Sequence, residues 1–219
     1  MKIVLLLSIP MMVLSGFSFG KTKSAPDESV FVATQEVPQQ KLSPHEVEKK
    51  ANALYKHARK QFDTKQFWQC STDLISIVDN YAGYSKMAEV IYLLGKSLYE
   101  LQVYSGADKM FRYLLREIEK NRFVPAAILG LQKCQYQLKD YHQSLKFYKA
   151  LENHYPYFKG IDEARYYAGQ TYFHLDEFNF ALNVFQQVNS KSDFYPFSLY
   201  TTGLIQLKKK AFVRPSVSF

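Results

Sequence analysis

The chain has 219 residues, 47% hydrophobic and 16% aromatic, which excludes a disordered polymer and predicts a substantial core. Its formal net charge of +8 is scattered, and the densest basic run is only Lys208, Lys209 and Lys210, so the surface is mildly basic without the concentrated footprint of a nucleic-acid binder. Two cysteines, Cys70 and Cys134, are too few for a disulfide-stapled scaffold, so packing has to hold the fold together.

Residues 1–20 read as a secretory signal: Met1 and Lys2 give a short positive start, Ile3 to Leu14 an apolar stretch, and Ser18-Phe19-Gly20 a small-x-small cleavage site. The apolar stretch is too short to span a bilayer and is broken by Pro10. Export followed by cleavage, with no stable membrane insertion, is therefore expected. Neither cysteine follows the cleavage point, where a lipoprotein carries its lipid. Residues 21–43 are polar, contain Pro26 and Pro38 and lack helical periodicity, as a flexible linker would.

Ser43-Pro44-His45-Glu46 then supplies a helix start, with serine as N-cap, proline at the first helical position and glutamate placed for a capping box. From there the pattern predicts paired helices over 44–62 and 66–80, 86–101 and 104–120, 124–138 and 141–154, and 161–175 and 178–188. A single helix over 196–210 follows, and 212–219 form a tail. Asp63-Thr64, Gly83, Asp140, Pro156, Gly160, Asp176-Glu177 and Pro196 mark the turns.

A 37-residue step runs through the pairs. Phe67, Tyr104, Tyr141 and Phe178 share one phase, as do Cys70, Ala107, Ser144 and Ala181. Leu74, Phe111, Tyr148 and Phe185 share another, followed by Ile77, Leu114, Leu151 and Val188. An aromatic, a small residue three later, a bulky one four after that and an aliphatic three further on place one helix face in register in every copy. Arrays of this kind usually bind rather than catalyse.

The segment Leu94-Gly95, Tyr99, Leu101, Tyr104, Ala107, Phe111 resembles a tetratricopeptide repeat (TPR), as does Ala168-Gly169, Tyr172, Phe178, Ala181, Phe185. Leu138, Asp140, Tyr141, Leu145, Tyr148 and Pro156 extend the likeness to the third copy. The resemblance implies an all-α fold over 44–211, a right-handed α-solenoid of about four TPR-like hairpins plus a C-terminal single helix. The family's hairpin glycine is Gly95 and Gly169 in two copies but Ala58 and Gln132 in the others, and the period exceeds the usual 34 residues. Longer repeats of this kind are similar to those of exported bacterial envelope proteins of the BamD/CpoB type.

The same resemblance implies that first helices line a concave groove. Its positions fall on Tyr55, Arg59 and Phe62 in the first copy and on Tyr92, Lys96 and Tyr99 in the second. They fall on Lys133 and Tyr136 in the third and on Tyr166, Tyr167, Gln170 and Phe173 in the fourth. One position thus reads Arg59, Lys96, Lys133, Gln170, flanked by aromatics, which suits an extended partner carrying carboxylates. Alternatively, the rings at Phe62, Tyr99, Tyr136 and Phe173 pack against neighbouring repeats and the lysines are solvated. The family's carboxylate clamp for chaperone C-termini needs asparagines where this chain has Arg59 and Gly130.

Other chemistry lacks its signatures. Gly95-Lys96-Ser97 resembles the end of a phosphate-binding loop, but the glycine required five residues earlier is Val90, and His45-Glu46 meets Lys49 where a zinc protease needs histidine. His57, His142, His154 and His174 lie in separate repeats without metal-ligand spacing. Cys70 and Cys134 occupy different repeat positions two repeats apart and read as small buried hydrophobes. Leu199, Leu204, Ile205 and Leu207 form the apolar side of the last helix. The expected function is a non-catalytic protein-interaction scaffold of the periplasm or cell envelope, holding an acidic, extended polypeptide without cofactor, metal or nucleic acid. Two other readings stand beside it: a structural subunit using the convex face or the C-terminal helix, and a piece of a larger envelope enzyme.

Overall fold

Each predicted hairpin turns on one repeated backbone device. Lys65 (φ 60°), Gln102 (61°), Lys139 (61°) and Asp176 (56°) adopt the left-handed conformation at successive steps of 37 residues. At the first turn the Lys65 amide donates to the Phe62 carbonyl and the Gln66 amide to the Gln61 carbonyl. The same two bonds recur onto Tyr99 and Leu98, Tyr136 and Gln135, and Phe173 and Tyr172. This pairing is a Schellman C-cap, which satisfies carbonyls the helix end would leave unbonded. No glycine occupies the left-handed position, at a cost of about 1 kcal/mol each. A ring pair spans every turn and offsets that strain: Phe62 and Phe67 at 5.3 Å, Tyr99 and Tyr104 at 5.3 Å, Tyr136 and Tyr141 at 6.1 Å, Phe173 and Phe178 at 6.0 Å between centroids.

The structure, a computed structural model, describes residues 42–118 and 121–213. The expected signal, the linker before Leu42 and residues 214–219 lie outside the described residues. The described residues form α1 (Pro44–Asp63), α2 (Phe67–Asn80), α3 (Met87–Glu100), α4 (Tyr104–Glu117), α5 (Val124–Gln137), α6 (Tyr141–His154), α7 (Ile161–His174), α8 (Phe178–Gln186) and α9 (Tyr195–Val213). Every expected helix is present, with ends displaced by three residues at most, and no strand occurs among the described residues. α1 begins at Pro44, where the Ser-Pro start places it.

The 37-residue pattern becomes interlock. Cys70, Ala107, Ser144 and Ala181 are all at 0% exposure, so second helices approach their neighbours at these small residues. Leu74, Phe111, Tyr148 and Phe185 fill the space beside them, with Ile77, Leu114, Leu151 and Val188 behind. Phe111 is clamped from two sides: a Cβ on Gly95 would sit 2.7 Å from Cε1 of its ring, and one on Gly130 2.5 Å from Cε2. Gly95 belongs to the same hairpin and Gly130 to the next, so one ring couples consecutive repeats. In the third hairpin, where Gln132 replaces glycine, its buried side-chain amide donates to the Ala164 carbonyl at 2.7 Å while the Gln132 backbone carbonyl accepts from the Ser144 hydroxyl. Both cysteines are free and buried; the Cys70 sulfur lies 3.2 Å from the Ser97 hydroxyl, and burial pushes the Cys134 thiol up to about 12.

α9 is the expected single last helix, and its apolar side is divided. Ile205 is fully buried, but Leu207 is 66% exposed and Leu199 52%, so the anticipated apolar side is only partly covered. α9 packs against α7 and α8, and no further helix flanks it among the described residues.

Gly95→Ala is expected to destabilise the protein by about 1–3 kcal/mol, because overpacking outweighs alanine's helix preference. Gly203→Ala, with nothing within 4 Å of the new methyl, is expected to stabilise it by about 0.5–1 kcal/mol. Urea unfolding of the two variants checks this; equal effects would contradict the clamp.

Candidate functional site

First helices contact one another along the array, α3 with α5, α5 with α7 and α7 with α9, more than second helices do. Closer spacing marks the inside of a curve, so the first helices form the inner wall. Their facing side chains make a continuous seam.

At its start, the Tyr55 hydroxyl donates to Glu89 at 2.9 Å, and the same carboxylate takes Arg122 from the third repeat. Tyr55 is 7% exposed, so of the expected groove rings it is a floor residue. The nearby Tyr55 hydroxyl and, more weakly, the Asp63 and Glu89 carboxylates help hold the Arg59 guanidinium charged. The Lys96 ammonium lies 4.6 Å from the Phe62 ring centroid and 5.9 Å from that of Tyr92. Tyr92 in turn stacks on Phe123 at 4.9 Å. Lys133 lies over Tyr99 and Tyr167, at 4.9 and 5.5 Å, but also meets the Glu163 carboxylate at 2.5 Å. Tyr136 packs on Tyr167 and bonds His174, while Gln170 donates to Thr201 of α9 at 2.7 Å. Tyr166 packs on Phe185, Phe194 and Phe197, and Phe173 lies beneath Lys208.

The twelve expected positions all lie on the first helices α1, α3, α5 and α7, and their contacts separate their roles. Phe62, Tyr99, Tyr136 and Phe173 close their own hairpins, and those nearest Lys96, Lys133 and Lys208 also serve as ring platforms for a cation of the next repeat. The cation row divides as well. Lys133 is neutralised by Glu163, whereas Arg59 and Lys96 have no carboxylate within 4 Å among the described residues. Burial, then the neighbouring Lys133 charge, lowers the Lys96 pKa below its ordinary value. The Glu100 and Glu163 carboxylates act in the opposite direction from further away, so the half-buried ammonium has partial electrostatic compensation.

Glu89, Glu163 and Thr201 were not visible as groove residues in the sequence. Their only signal is spacing: Glu89 and Glu163 occupy the same repeat position two copies apart.

No family model matches the chain, and no curated protein matches it. Among solved structures it is similar to YrrB, described as a TPR protein with an unusual peptide-binding site, with a TM-score of 0.56 at 15% identity over 77% of this chain and 86% of that one. It is also similar to MamA AMB-1, with a TM-score of 0.53 at 14% identity over 78% of this chain and 94% of that one. The fold is that of a TPR array. Both likenesses lie far below the identity at which residues could be carried across, so the TPR wall described above rests on this chain's own contacts.

Burying the Lys96 ammonium costs stability below its lowered folded pKa, and the cost fades as pH rises towards the ordinary lysine value and both states lose the proton. Lys96→Met is therefore expected to melt higher than wild type at pH 7, with the difference shrinking in alkali. Paired thermal melts across pH check this; a lower-melting variant at neutral pH would contradict it.

Proposed function

We propose that this chain is an exported, non-catalytic adaptor of the bacterial cell envelope, similar to the BamD/CpoB type, whose inner wall holds an acidic, extended segment of a partner protein. The observation carrying this reading is Lys96: a half-buried ammonium on the Phe62 and Tyr92 rings, without a carboxylate of its own within 4 Å among the described residues. Retaining such a group against its desolvation cost makes sense where a partner carboxylate completes the pair. Arg59 adds a second unpaired cation one repeat away on the same row. YrrB is described as a TPR protein with an unusual peptide-binding site, which gives peptide binding by this fold a precedent. The Ile3 to Leu14 stretch and the Ser18-Phe19-Gly20 site support export. No helix among the described residues is long and apolar enough to cross a membrane.

Selection of 12-residue peptides from a random display library tests the reading. Wild type is expected to enrich Asp- and Glu-containing peptides. The Arg59→Glu, Lys96→Glu double variant is expected to lose them by tenfold or more, about 1.4 kcal/mol. Recovery of the same peptides by both proteins would remove the groove from the account.

A further inference from the structure

The groove row does not end with the fourth repeat. One more step of 37 adds Leu207, so the position reads Arg59, Lys96, Lys133, Gln170, Leu207. Along this row the chemistry passes from free cation, to paired cation, to an amide spent on Thr201, to an exposed aliphatic. The row beside it reads Lys56, Leu93, Gly130, Tyr167, Leu204, with its one charge at the same end.

The two ends of the wall are open clefts that differ in composition, four cations lining the first and one the second. The first, of about 460 Å³, is lined by Tyr55 and by Lys56, Arg59, Lys60 and Lys86, with Asp63 its one carboxylate. The second, of about 370 Å³, lies on α9, where Tyr200, Leu204 and Leu207 border Gly203 and Gln206 and Lys210 complete the rim. Tyr200 is 69% and Leu207 66% exposed, and nothing lies within 4 Å of where a Gly203 methyl would be. Gly203 is therefore a notch beside three apolar side chains, able to receive a bulky side chain under a rim that Gln206 and Lys210 share. It continues the groove rather than forming a separate patch, because the bond from Gln170 to Thr201 ties α9 into the seam of first helices.

We infer that the groove reads a two-part segment in a fixed orientation, with acidic side chains over Arg59 and Lys96 and a large apolar side chain in the Gly203 notch of α9. This rests on the groove reading above and adds to it a polarity and a second anchor. Charge complementarity fixes the first end. Lys133 and Gln170 are already satisfied within the chain, so the stretch between the ends asks for no charge. Five first helices about 9 Å apart span roughly 36 Å, which an extended chain covers in about a dozen residues. The occupant is thus a peptide of about that length, acidic at one end and apolar at the other.

Fluorescence anisotropy with labelled 14-residue peptides and the full chain tests the proposal. Four probes are used: an acidic block followed by a Leu/Phe block, the reverse order, an interleaved peptide of the same composition, and an acidic peptide without apolar residues. One blocked order is expected to bind at least tenfold tighter than the other three. Leu207→Asp and Gly203→Trp should each erase that advantage while leaving the acidic-only peptide unchanged, and circular dichroism should confirm that both variants remain folded. Equal binding by blocked and interleaved peptides, or indifference to both α9 variants, would overturn the two-part inference while leaving a basic groove standing. Binding by none of the probes would remove the groove reading as well. Self-association lost in Leu207→Asp, without peptide binding, would assign the α9 face to a second copy of the chain and overturn the inference.

Discussion

The structure depends on one interlock: a bulky side chain from each second helix enters space that a small residue leaves open. Phe111 between Gly95 and Gly130 is its two-sided instance, and Phe185 against Gly169 is closer still, at 2.3 Å from an added Cβ. Such a contact is worth several kcal/mol when complete and turns unfavourable with one added methyl. It therefore fixes the distance between consecutive repeats. The inner wall follows from that spacing, because first helices held at a constant step present the same position once per repeat. The alignment of Arg59, Lys96 and Lys133 is thus a product of packing on the opposite face of the hairpins.

A cation at each step then has to be stabilised or left available, and the chain does both. The ring that caps one hairpin, Phe62 or Tyr99, becomes the platform for the lysine of the next. Glu163 quenches Lys133, whereas Lys96 keeps its rings without an ion-pair partner among the described residues. Rings can hold a desolvated ammonium without neutralising it, since cation–π attraction leaves the net charge in place. This is how a wall packed tightly enough to be rigid also keeps charge to offer.

Helix order, hairpin pairing and the buried register were legible in the sequence because they depend on residue size at a fixed period. Cys70, Ala107, Ser144 and Ala181 share nothing but smallness, and that sufficed to place them at helix contacts. The rings at Phe62, Tyr99, Tyr136 and Phe173 had two readings, and their hairpin-closing contacts favour the packing one without removing them from the wall. Hidden from the sequence were the left-handed turns at Lys65, Gln102, Lys139 and Asp176, where glycine would be the usual marker and none is present. The division of the cation row was hidden too. Lys96 and Lys133 are identical in type and phase, and only the approach of Glu163 from a neighbouring helix separates them. Periodicity put Leu207 on the apolar side of α9, but how much of that side is covered depends on what packs beside the helix.

The central claim is that the inner wall of first helices is the binding face. Photo-crosslinking a benzoylphenylalanine-bearing acidic peptide to the full chain, followed by mass spectrometric mapping, tests it most directly. The account predicts adducts on α1 and α3 around Arg59 and Lys96, moving towards α9 as the photoreactive residue is shifted along the peptide. Adducts concentrated on α2, α4, α6 or α8 would contradict it.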